Sequence, residues 1–197
     1  MSVLSPAELS DAQWTYLVAA LKSEAGLGSP PSGTTSGNRL TGIQYVGAGY
    51  HLWTESNPSI GVQLKECREY NGDAFGLRSA TSRHVFVSTF DIIIGVQSTD
   101  ATASSRFGAN IKANAEDAMF LLRPYISGPS GSPGSGISAV LRDPQYRLLG
   151  STNGQNNCAR SQITGIDYEW EIGPGENAQM WAYGLITLQA GALVQIG

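Results

Sequence analysis

Residues 84–97 read HVFVSTFDIIIGVQ, with large apolar side chains at both alternating parities, and no other stretch of the chain restricts the fold so tightly. The even positions are His84, Phe86, Ser88, Phe90, Ile92, Ile94 and Val96; the odd ones are Val85, Val87, Thr89, Asp91, Ile93, Gly95 and Gln97. Successive side chains of a strand point to opposite faces, so a half-buried strand carries apolar residues on one parity only. This strand needs cover on both faces. A layer of helices supplies one cover, and the other must come from elsewhere.

The remaining elements follow from local signals. Ser5-Pro6-Ala7-Glu8 is a capping box with proline at the first helical position, and Trp14, Leu17, Val18 and Leu21 follow at helical spacing until Gly26. A helix over 6–25 is predicted. GLGSPPSGTTSGN (26–38) has no periodicity and reads as a mobile loop. Strands are expected over 40–46, 49–53 and 59–66. The span 67–83 contains Asn71-Gly72 but is too long for a tight turn, so it should project as a long hairpin arm or mobile loop. Phe107, Ile111, Ala115, Ala118 and Leu122 form one stripe of a second helix, which Pro124 should stop. A second Gly/Ser/Pro-rich mobile loop covers about 127–136, followed by a weak strand within 137–149 and a polar loop at 151–157.

ITGIDYEWEI (163–172) alternates most cleanly, with Ile166, Tyr168, Trp170 and Ile172 on one face and Asp167, Glu169 and Glu171 on the other. The final strand, 180–196, has even residues small enough for a helix to pack close. The expected architecture is a single α+β domain over 1–197: a largely antiparallel sheet with two helices on one face.

Composition bears on what covers the second face. Only 14% of residues are charged, against about 25% in a typical soluble domain. With no apolar run near 18 residues, a membrane span is not expected, and the surplus apolar surface should meet other protein. A net charge of −4 with scattered basic residues argues against gripping nucleic acid. Met1–Asp11 has neither a basic nor an apolar signal region, so synthesis in the cytoplasm is expected. Cys67 and Cys158 are expected as reduced thiols, with a disulfide as the alternative.

No nucleophile elbow, phosphate loop, complete dinucleotide fingerprint or metalloprotease motif is present. His51, His84, Cys67 and Cys158 form no local ligand pair, so no metal, cofactor or catalytic residue is expected. The row Asp167, Glu169 and Glu171, spaced roughly 7 Å apart, has no apolar neighbour expected beside it to raise a carboxyl pKa. It is either a solvated strand face or a negative surface that DNA passes without sticking. Phe75, with Arg78 and Arg83, either docks a partner or folds back on the sheet.

The order of these elements resembles the tail-terminator (tail-completion) family of tailed bacteriophages. The matching stretches are SPAELSDAQWTYLVAALKSEAG, RHVFVSTFDIIIGVQ, DAMFLLRPYI, and the return from ITGIDYEWEI to WAYGLITLQAGALVQI. The likeness is one of pattern and covers most of 5–196 outside the two Gly/Ser/Pro loops. It implies a structural virion protein at the tail and neck: a closed, usually sixfold ring of copies that ends the tail tube, meets a neck or head-completion protein, and lets genomic DNA through its lumen. Val85, Val87, Ile93, Phe75, Arg78 and Arg83 would then meet a neighbouring subunit or the tube protein, and Asp167, Glu169 and Glu171 would face the lumen. The chain is longer than compact members of that family. Another neck component, a capsid- or glycan-binding decoration module using Tyr50, Trp53 and Phe75, or a hydrolase of unrecognised type are the alternatives.

Overall fold

The structure, a computed structural model, describes residues 5–49, 57–70, 83–98, 111–129, 134–143, 151–152, 155–156, 158–172 and 180–195. In chain order the elements are α1 (Pro6–Glu24), β1 (Tyr45–Ala48), β2 (Ser59–Tyr70), β3 (Arg83–Gln97), α2 (Ile111–Ile126), α3 (Ile137–Arg142), β4 (Ser151–Thr152), β5 (Gln155–Asn156), β6 (Arg160–Ile172) and β7 (Met180–Gln195). The class is α+β: a mixed five-stranded sheet ordered β1-β2-β3-β7-β6, with only β1 and β2 parallel, beside a small β4-β5 hairpin.

α1 begins as its sequence dictates. The Glu8 N–H donates to Ser5 Oγ at 3.3 Å, and the Ser5 N–H donates to the Glu8 carboxylate at 2.7 Å. Two orphan donors of the first turn are thereby satisfied. Gly26, at φ 72°, follows the C-cap residue Ala25 in the left-handed region where glycine has no steric cost.

Several expectations are corrected. The strand expected over 40–46 is a turn through Gly42, at φ 89°, and pairing starts only at Tyr45. β2 runs on to Tyr70, into the stretch read as loop, because Glu66–Tyr70 continue to pair with β3 as far as Val85. α2 passes through Pro124: in the last turn the missing N–H costs one bond, and the Ser127 N–H still reaches the Arg123 carbonyl at 2.9 Å. The weak strand within 137–149 begins instead as the short helix α3, a third helix, whose Ile137, Val140 and Leu141 are buried at helical spacing. The loop at 151–157 holds the β4-β5 hairpin.

The segment 26–38, read from composition as mobile, carries more bonds than that composition suggests. Glu24, fully buried, accepts from the Gly37 N–H at 3.1 Å, the Arg39 N–H at 3.0 Å and Arg39 Nη2 at 2.8 Å. Arg39 Nη1 reaches Asp143 at 2.7 Å. One buried carboxylate thus ties the end of α1, the loop and the end of α3. The guanidinium is held above its ordinary pKa, chiefly by its hydrogen bond to Glu24.

The three helices among the described residues lie on one face. A Cβ added to Gly184 of β7 would come within 2.8 Å of Ile126 Cδ1 on α2, so the even positions of β7 face the helices, and a larger residue there would push α2 away. Register carries that parity across the sheet: Gly184 pairs with Ile94 on β3 and Tyr168 on β6. The main core joins Phe90, Ile92, Ile94, Ile186 and Leu188 to residues of every helix, and a smaller cluster joins Leu9 to Phe86, Ala192 and Val194. Every β3 and β7 residue in either cluster is even-numbered.

Candidate functional site

The odd parity forms the open face of the sheet, against which no helix packs among the described residues. Bulges in β2 between Leu64 and Glu66, and in β6 between Ile163 and Gly165, shift the alternation. Glu66, Arg68 and Tyr70 therefore share the open face with Thr89, Val87 and Val85.

The apolar residues singled out on that face are already withdrawn from water by the chain itself. Val85, Val87 and Ile93 are 0, 6 and 8% exposed. Tyr70 and Leu193 flank Val85, while Gly61 and Leu185 flank Ile93. A partner on this face would meet the taller side chains around them. Asp91, the acid inside the apolar run, is also buried: it lies 3.3 Å from Lys65 Nζ and accepts from Thr187 Oγ1 at 3.4 Å. Beside this pair, Arg68 and Glu66 form a second ion pair at 2.8 Å on the exposed side.

Asp167, Glu169 and Glu171 stand exposed in one row on β6, on the open face. Ile166, Tyr168 and Trp170 are packed against the core on the other face, as their parity predicts. The expectation that nothing apolar neighbours the row is corrected. Its cross-strand partners on β7 are Leu185, Tyr183 and Trp181. Directly opposed pairs sit close enough to interact. Desolvation first, and then the adjacent Glu171 carboxylate, hold the Tyr183 phenol above its usual pKa. A line of carboxylates thus runs beside a line of half-buried aromatic and aliphatic side chains. The three carboxylates stand side by side along the strand and do not converge on one point.

Phe75, Arg78, Tyr50, Trp53, His51 and Phe107 lie outside the described residues, as does the side chain of Arg83. The most exposed large apolar side chains among the described residues are Phe120 and Met119 of α2, at 80 and 47%, neither of them singled out by the sequence. The available signal was that both fall off the stripe of Ala115, Ala118 and Leu122.

The reactive-group inventory is modest. A cleft of about 440 Å³ opens between the start of α1 and the far ends of β2 and β3, with Ser10, Asp11, Cys67, Glu69 and Phe86 among its walls. Ser10 and Ser88 hydroxyls lie 3.1 Å apart, and Ser88 Oγ donates to Cys67 Sγ at 3.8 Å. His84 pairs with Glu69 through Nδ1. Among the described residues no group of three His, Cys, Asp or Glu could hold a metal, and no helix is long and apolar enough to cross a membrane.

Both cysteines are free thiols, Cys67 exposed and Cys158 buried. Burial pushes the Cys158 thiol up to about 12. Because the thiolate is the nucleophile, a disulfide-exchange reagent at pH 8 should titrate one thiol rapidly in the folded protein and the second only in denaturant. Burial also raises Tyr16, Tyr125 and Tyr183. Groups whose folded pKa lies above the unfolded value contribute stability that is complete below the unfolded pKa, 9.0 for the thiol, and lost as pH climbs through the folded one. Urea midpoints should therefore hold up to about pH 9 and fall progressively towards pH 12.

Among the described residues the fold is an α+β sheet with helices on one face and an acid-lined margin. No protein-family model matches the chain, and no curated protein matches it significantly.

Proposed function

We propose that this chain is a structural virion protein of a tailed bacteriophage, acting as a tail terminator: a ring of copies that ends the tail tube and joins it to the neck. The observation that carries the reading is the one-sidedness of the sheet. Among the described residues, helices cover the five strands on one face only, while the other carries Tyr70, Trp181, Tyr183, Leu185 and Leu193 around a buried apolar strand. Such a face suits contact with a neighbouring copy or the tube protein. The arm residues Phe75, Arg78 and Arg83 are assigned to the same contact, together with Val85, Val87 and Ile93 beneath it.

The acidic row is assigned to the lumen, in passage rather than binding. Repeated round a ring, Asp167, Glu169 and Glu171 would repel phosphates, a field that decays over roughly 8 Å at physiological ionic strength. A basic lining would bind phosphates and slow exit.

The mass of the purified full chain, measured by native mass spectrometry alone and with tail tubes, tests the reading. A closed ring, or a cap seen on tube ends by electron microscopy, is the expected result. A monomer that never engages tubes overturns it. In assembled particles, changing Asp167, Glu169 and Glu171 together to lysine should leave tail length unaltered and slow genome ejection, less so as salt rises. A map of the particle with the row on the outer rim would remove the lumen assignment.

A further inference from the structure

β6 is an edge strand of 13 residues, and among the described residues no strand pairs with its outer side. An edge of that length presents a row of unpaired N–H and C=O groups that template another strand. We infer that in solution β6 pairs antiparallel with β6 of a second copy of this chain, with Arg160 of each copy opposite Glu171 of the other. The pairing needs neither a ring nor a tail, and so goes beyond the function proposed above.

The second copy follows from the register that the bulge imposes. Residues directly opposite one another in an antiparallel pair share a face. On β6 the open-face residues are even before the bulge, Arg160 and Gln162, and odd after it, Asp167, Glu169 and Glu171. Two-fold pairings that match faces therefore fall into two groups. If like halves meet, the C-terminal halves set acid against acid, Asp167 opposite Glu171 and Glu169 opposite itself, while the N-terminal halves engage only residues 160–164. If unlike halves meet, the acids face Arg160 and Gln162.

Within the second group, one register engages the full length from 160 to 171. It places Arg160 opposite Glu171 at both ends, Gln162 opposite Glu169 on the open face, and Ile163 opposite Tyr168 on the helix face. Ile163 and Tyr168 are only partly buried in the single chain, so the same register also covers apolar surface left half open. The acidic row thus does two things to the edge: it repels the in-phase pairing and leaves the offset one favourable. The result is a continuous ten-stranded sheet, two copies of the five-stranded one.

Sedimentation of the full chain over a range of concentration and salt tests this. A reversible dimer is expected, weakened by Arg160→Glu on the order of tenfold and restored by the double swap Arg160→Glu with Glu171→Arg. All four residues probed are exposed, and a register test stands beside the charge test. In a Cys67→Ser background, Gln162→Cys with Glu169→Cys should oxidise to a covalent dimer, whereas Glu169→Cys alone should not. A monomer at every concentration, a dimer indifferent to Arg160→Glu, or ready cross-linking of Glu169→Cys alone would each overturn the pairing. A closed ring without the Gln162–Glu169 cross-link overturns the pairing and leaves the ring reading standing; a cross-linked dimer that never engages tubes does the reverse.

Discussion

Replacing Glu24 with alanine should cost the fold about 3 kcal/mol, the lower end of what removing one partner of a buried ion pair costs, because Arg39 keeps Asp143. The carboxylate is fully buried and accepts from two backbone N–H groups as well as the guanidinium, so its loss strands several donors at once. The midpoint of thermal unfolding should drop by roughly 6–12 °C for a chain of this size. Glu24→Gln, which keeps an acceptor but not the charge, should fall between. Limited proteolysis supplies an independent readout: cleavage within 26–38 should accelerate in Glu24→Ala. Equal stability and equal cleavage in variant and wild type would show that the cluster does not hold the loop.

Phe90→Ala should be at least as damaging, about 3–5 kcal/mol, since Phe90 is fully buried in the centre of the main core and the space left lies between sheet and helices. Leu185→Ala, one strand in from the β6 margin and on the open face, should cost under about 1 kcal/mol because the side chain is only partly buried. Urea denaturation of the two variants measures the asymmetry directly. Similar losses would mean that the open face is packed as tightly as the helix face. Ile93→Lys is a poor probe of any interface, because Ile93 is 8% exposed in the single chain and lysine there would strain the fold itself.

The parts of the fold that can be read from the sequence are those set by local chemistry. Ser5, Glu8 and Gly26 mark α1 because cap and stop bonds span only a few residues. Alternation marks β6 and β7 because each packs one face against the core, whereas an apolar run at both parities marks β3. Six residues are too few to choose between periods, so Ile137, Val140 and Leu141 passed for part of a strand. Glu24 carries no local signal of its role; its partners are 15 and 13 residues on, and Asp143, which shares its arginine, lies 104 positions from Arg39.

For the candidate site, parity placed the acidic row on one face, but not what stands next to it. That depends on the β6–β7 register, a relation between two strands that neither carries alone. The bulges near Lys65 and Thr164 belong to the same class.

The two long central strands, β3 and β7, are paired without interruption from Arg83↔Gln195 to Gln97↔Trp181. A pull along the strands loads that entire ladder at once, and all its hydrogen bonds must yield together. A pull across the sheet at the β6 margin opens the bonds one after another, like a zip. The molecule is therefore mechanically anisotropic: stiff along the strand axis and weakest to peeling at its margin. A part that bears tension in service would do best with its strands set along the line of force and its margin pinned by a neighbour.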